Sequence, residues 1–198
     1  MTIPVWPRSD KVAHNDTRAR EIVRMWLPLA KCGHAHAQYI LGRAYLTGTG
    51  IGQNPQKAFL WLSKAALAHD LEAQLYLGLL YLKGVGVEKN EYSAAHWLRQ
   101  SADAGVIRAQ CYLSRMYAAG IGMPRSFIYA YMWALLAASG GRRELVENHG
   151  TENVRNYVLT TLETYASAMR REETAAAIRM AKKWRQRFLP AHPAKKIA

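Results

Sequence analysis

The chain has 198 residues, half of them hydrophobic, and 27 Lys and Arg against 14 Asp and Glu give it a formal charge of +13. That length suffices for one buried core or one extended array, and the charge favours an acidic partner: nucleic acid, an anionic membrane surface or an acidic protein. The opening residues hold no apolar core of signal-peptide length and no run reaches the roughly 18 apolar residues of a membrane span, so a cytoplasmic chain is expected. Cys32 and Cys111 fall at non-equivalent places and are expected to be reduced, buried thiols.

Residues 1–17 mix Pro4, Pro7, Asp10, Asn15 and Asp16 without helical period and read as a flexible arm. From Thr17 a helix is expected, with Ile22, Met25, Trp26 and Leu29 as its apolar stripe and Ala30 and Gly33 closing it. A period of 36 residues then governs the chain. Ala37-Gln38 recurs as Ala73-Gln74 and Ala109-Gln110, and Leu41, Tyr45, Gly48, Gly50, Ala58, Trp61 and Ala66 each recur twice at the same interval. A fixed period of this size is the mark of stacked supersecondary units. By the same interval Ala30 matches Ala66, so residues 18–33 form a half repeat, followed by full repeats at 34–69, 70–105 and 106–141.

Each repeat predicts two antiparallel helices. The first runs over 35–47, 71–83 and 107–119, and a glycine-rich turn follows each. Asn54, Asn90 and Ser126 stand where a side-chain oxygen can accept from the free N–H groups of the next helix, and Pro55 suits a first helical position. The second helices are expected over 55–68, 91–104 and 127–139, with left-handed ends at Gly105 and Gly141 and a strained one at His69. Gly42, Gly78 and Ser114, with Ala58, Ala94 and Ala130, leave room for a neighbouring helix. Beyond Gly141 the period is lost. Stripes at Val154, Val158, Leu162 and Tyr165, then at Ala176, Ile178, Ala181 and Trp184, predict two capping helices within 142–188, before a basic tail at 189–198.

The pattern A-Q-x-x-L-G-x-x-Y-x-x-G-x-G followed by A-x-x-W-x-x-x-A-A resembles the Sel1-like repeats, relatives of tetratricopeptide repeats. The departures are Ser114 and His69 for the usual glycines, and Ser101 where Ala65 and Ala137 stand. The resemblance implies an all-α, right-handed α-solenoid of helix-turn-helix repeats that scaffolds other proteins, with first helices lining a concave groove. Carried over residue by residue, the groove positions are His36, Tyr39, Arg43 and Leu46, then Glu72, Leu75, Leu79 and Leu82, then Arg108, Cys111, Arg115 and Ala118. That Arg43, Leu79 and Arg115 share one repeat position but differ in chemistry agrees with a binding role, since packing positions repeat and binding positions need not.

Catalytic and cofactor chemistry finds little support. Gly48-x-Gly50-x-Gly52 follows no strand and its counterparts recur as turns, which argues against a phosphate loop. His34-x-His36 with Cys32 falls short of the four ligands of a structural zinc site, and Glu172-Glu173 fits a helix start. The expectation is therefore a non-enzymatic adaptor without metal or cofactor, holding an acidic-apolar segment of another protein. The alternative is RNA held through the basic groove and tail, with Tyr39, Arg43, Arg108 and Arg115 as its contacts. The central Leu75, Leu79 and Leu82 favour the protein reading.

Overall fold

The computed structural model describes residues 17–144 and 151–188, and within them there are helices and turns but no strand. The expected N-terminal arm, part of the polar stretch after Gly141 and the basic tail lie outside the described residues. The chain divides into two compact units, Met1–Lys89 and Asn90–Ala198.

The first unit holds α1 (Thr17–Lys31), α2 (Ala35–Thr47), α3 (Pro55–Leu67) and α4 (Leu71–Lys83). The helix limits follow from local chemistry. At the ends of α2 and α4 the glycines Gly48 and Gly84 adopt φ of 76° and 69°, a region that costs a side chain about 1–2 kcal/mol, and donate back to Ala44 and Leu80. The Asn54 N–H then donates to the Tyr45 carbonyl at 2.8 Å, which folds the turn back, and Asn54 Oδ1 accepts from Lys57 N to start α3. Asp70 does the same for α4 through Ala73 N, a cap whose counterparts His34 and Val106 have no side-chain bond. His69 between α3 and α4 does take the left-handed conformation, at φ 62°.

The repeated Ala-Gln pair is a joint. Gln38 Nε2 donates to the Ala30 carbonyl at 3.1 Å and Gln74 Nε2 to the Ala66 carbonyl at 3.3 Å, so each first helix is tied to the end of the preceding second helix. Both amides are buried, where a bond of this kind is needed to offset desolvation. Around the first joint, Val23, Ala30, Ala37, Leu41 and Ala44 form a core flanked by Trp26, Leu27, Tyr45 and Trp61. The expected stripe on α1 is thereby corrected. Met25 is 65 % exposed and Leu29 46 %, because α1 meets α2 through Val23, Trp26, Leu27 and Ala30, a second set with the same helical spacing one residue on.

The second unit holds α5 (Glu91–Asp103), α6 (Ile107–Ala119), α7 (Phe127–Glu144), α8 (Thr151–Ser167) and α9 (Arg171–Phe188). Asn90 Oδ1 caps α5 through Ser93 N, Ser126 Oγ reaches Tyr129 N at 3.4 Å, and Gln110 Nε2 reaches the Ala102 carbonyl at 3.2 Å, the same joint again. Ser114 replaces the usual glycine because its neighbourhood has changed with it. A Cβ on Gly42 would meet Leu62 Cγ at 2.6 Å, whereas two repeats further along the leucine position is Ala134, and Ser114 Oγ donates to the Ala130 carbonyl at 2.8 Å.

The expected stop at Gly141 is overturned, since α7 continues through Gly140 and Gly141 to Glu144. Two glycines weaken a helix but do not end one whose earlier turns are already packed, and α7 contacts both α8 and α9. From α8, Val158 and Leu162 pack on Ile107, Ala137 and Cys111, and Tyr165 lies 5.8 Å from Phe127. From α9, Ala177, Ala181 and Trp184 are buried, whereas Ile178 of the expected stripe stands 47 % exposed, one position off the inward arc. Trp184 meets Trp133 edge to face and donates from Nε1 to Asp103 Oδ1 at 2.9 Å, while Arg99 Nε donates to the other oxygen of Asp103.

Candidate partner-binding face

In the first unit the groove positions become a layered surface. Tyr39 is buried and its ring lies 5.7 Å from that of Tyr76 on the next helix in the row, α4. Over this pair sits Arg43, its guanidinium carbon 5.7 Å from the Tyr39 centroid and 5.5 Å from that of Tyr76, with Nη1 donating to the Tyr39 hydroxyl at 3.3 Å. Burial pushes the Tyr39 phenol up to about 12, and the adjacent guanidinium opposes that shift. The result is an exposed cation fixed on two aromatic faces, an arrangement that reduces the entropy lost when it meets an anion.

His36 extends the surface toward α1. Its ring is 5.5 Å from Tyr39 and edge-on to Trp26 at 6.2 Å, and Nδ1 lies 3.4 Å from Asp70 Oδ2. Thus Trp26, His36, Tyr39 and Tyr76 form a continuous aromatic row across α1, α2 and α4, with Arg43 above its far end. Trp26, Asp70 and Tyr76 were absent from the expected groove because nothing in the 36-residue period distinguishes them; only the packing of successive helices brings them to this face.

Several expected groove residues face inward. Tyr39, Leu46, Leu75 and Leu79 are all buried, Leu79 with 1 % of its surface exposed. Leu75 and Leu79 therefore belong to the core of the protein as described and give no apolar surface to a partner. Glu72 and Leu82 are half-buried. In the second unit Arg108 is exposed, Arg115 and Ala118 are half-buried, and Cys111 packs beneath Val158 and Leu162 of α8. Burial drives the Cys111 thiol up to about 11, with Arg115 opposing. Tyr39 under α4 and Cys111 under α8 occupy the same repeat position, so the next helix in the row covers it in both units.

The expectation of two buried thiols is met only in part: Cys111 is half-buried under α8, and Cys32 is exposed just after α1. Cys32, His34 and His36 do not assemble into a metal-binding group; among the described residues no cluster of three or more His, Cys, Asp and Glu does. Glu173 at the start of α9 accepts from the Arg170 backbone N–H at 2.8 Å, a capping bond that lowers its pKa.

Comparison with known proteins agrees with the fold. The model of the Sel1 repeat matches residues 35–70, 71–106 and 107–141, one residue later than the divisions read from the sequence at all but the last boundary. The chain is similar to the crystal structure of a Sel1 repeat protein from Oxalobacter formigenes, at 32 % identity over 68 % of this chain and 97 % of that one, with a TM-score of 0.56. It shares its fold with c5321, a protective antigen of uropathogenic Escherichia coli displaying an SLR fold, at 21 % identity and a TM-score of 0.58, covering 89 % of this chain and 45 % of that one. No curated protein sequence matches. Three family matches over more than half the chain, on an all-α array with the Gln-to-carbonyl joint in every repeat, establish that this protein belongs to the Sel1 repeat family.

Proposed function

We infer that the protein is a non-catalytic interaction module that holds an acidic, partly apolar segment of another protein on the His36–Arg43 face of its first unit. Sel1 repeat proteins generally mediate protein–protein interactions, which supports the general class. The observation that carries the specific reading is Arg43: an exposed cation stacked on two tyrosines of one aromatic row, in a chain of net charge +13. A carboxylate can pair with the guanidinium edge while an apolar neighbour covers the rings.

The test is capture of partners from nuclease-treated lysate of the source cell by the wild type and by Arg43→Glu, compared by mass spectrometry. A protein retained by the wild type and lost with the variant, both folded by circular dichroism, supports the reading. Equal capture by the two removes the face from consideration, and recovery abolished by nuclease in both replaces a protein partner with nucleic acid.

A further inference from the structure

The outer face of α9 is distinct from the face of the first unit and carries a different kind of chemistry. Its inner face is fixed: Ala177, Ala181 and Trp184 are buried, and Trp184 is held by Trp133 and Asp103. Around the rest of the helix stand Arg171, Arg179, Lys182, Lys183 and Arg185, all exposed, with Arg187 over the Phe188 ring at the end. Pairs such as Arg179 with Lys182 and Lys183, and Lys182 with Arg185, lie three or four residues apart, about 5–6 Å between Cβ atoms, where like charges repel. No acidic side chain among the described residues pairs with Arg179, Lys182, Lys183 or Arg185. Among the described residues, four cations are therefore held together without an acidic partner, on a helix about 27 Å long.

We propose that this face of α9 docks on an anionic lipid surface. Two features favour a membrane over other polyanions. The cations spread across the whole outer half of the helix, too broad for one peptide strand and well matched to a plane. Ile178, 47 % exposed, stands among Arg171, Lys182 and Arg185 at helical spacing, whereas Phe188 stacks on Trp184 of the inner face at 5.1 Å. An apolar side chain gains by entering the headgroup layer and gains nothing from a phosphodiester backbone. No described helix is long and apolar enough to cross a membrane, so the contact is peripheral and electrostatic. Each Lys or Arg near such a surface contributes enough that a cluster of this size gives reversible binding at moderate ionic strength.

The experiment is co-sedimentation of the full chain with phosphatidylcholine vesicles, with and without about a third phosphatidylserine, for wild type, the double variant Lys182→Ala/Lys183→Ala and Ile178→Ser. These positions are exposed, and circular dichroism checks the fold. The expected result is binding to the anionic vesicles only, weakened about 30-fold by the double variant. Ile178→Ser weakens it by about threefold and leaves binding to a duplex DNA probe unchanged. Equal partitioning of wild type and double variant, equal binding to neutral vesicles, or tighter binding to the DNA than to the vesicles at the same salt overturns the proposal. The last result would make nucleic acid the occupant of α9.

Discussion

Gly86 lies against the carbonyl of Pro55: a Cβ at Gly86 would overlap that oxygen and its carbon, and the backbone there has φ of 73°. Gly122 stands in the same relation to Glu91 in the second unit. The glycine-rich turn of one repeat thus rests on the first turn of the second helix before it, and glycine is required twice over, for conformation and for contact. Gly86→Ala is expected to lower stability by about 3 kcal/mol. Gly33, also left-handed but with nothing within 4 Å of an added Cβ, should lose only about 1 kcal/mol on the same change. Urea midpoints of the two variants separate the terms.

His69 is the mirror case. It holds φ 62° where Gly33 and Gly105 hold 92° and 93°, so His69→Gly relieves strain at some cost in chain entropy. A net gain of about 0.5–1 kcal/mol is expected, read as a rise in the thermal midpoint of a few degrees.

Leu79 and Arg43 share one repeat position but should respond very unequally to the same residue. Leu79→Glu puts a carboxylate in a site with 1 % exposure and should cost more than about 4 kcal/mol or prevent folding. Arg43→Glu loses stacking on Tyr39 and Tyr76 and should cost about 1 kcal/mol. Circular dichroism and urea titration of both variants check the contrast, and only the second is fit for binding experiments.

Alkaline stability should follow two buried protons. The folded chain holds the Cys111 proton to about 11 and the Tyr39 proton to about 12, above their ordinary values of 9.0 and 10.0. The folded state therefore binds more protons than the unfolded state above those ordinary values, and stability falls as pH rises. The loss runs from about pH 9 to 11 for Cys111 and from about 10 to 12 for Tyr39, and neither group contributes a slope below pH 8. Cys111→Ala and Tyr39→Phe should each remove one part of the slope in urea titrations at successive pH values. At pH 8 a thiol reagent should modify exposed Cys32 rapidly and Cys111 far more slowly, since little of the latter is thiolate.

Much of the helical layout was legible in the residues. The first helices of all three repeats coincide with the ranges read from glycine and asparagine positions, because the glycines at 48, 84 and 120 end each helix by local backbone conformation alone. Where the outcome depended on packing, the residues were ambiguous. On α1 two interleaved sets, Ile22, Met25, Trp26, Leu29 and Val23, Trp26, Leu27, Ala30, satisfy one helical period, and only contact with α2 chooses. At Gly141 the local preference to stop did not prevail, and α7 runs on to Glu144. For the candidate face, the period marked Arg43 and Leu79 as equivalent and variable, but variation at a repeat position does not imply exposure. The leucine is interior and the arginine exposed over its rings, and the aromatic row beneath Arg43 has no counterpart in the repeat pattern.

The glutamine joints also set a direction. Gln38, Gln74 and Gln110 each reach back to a carbonyl eight residues earlier in the chain. Each repeat is therefore fastened by its own opening residues to material that has already left the ribosome. Synthesis from the N-terminus can secure the array one repeat at a time, without waiting for the residues that come last.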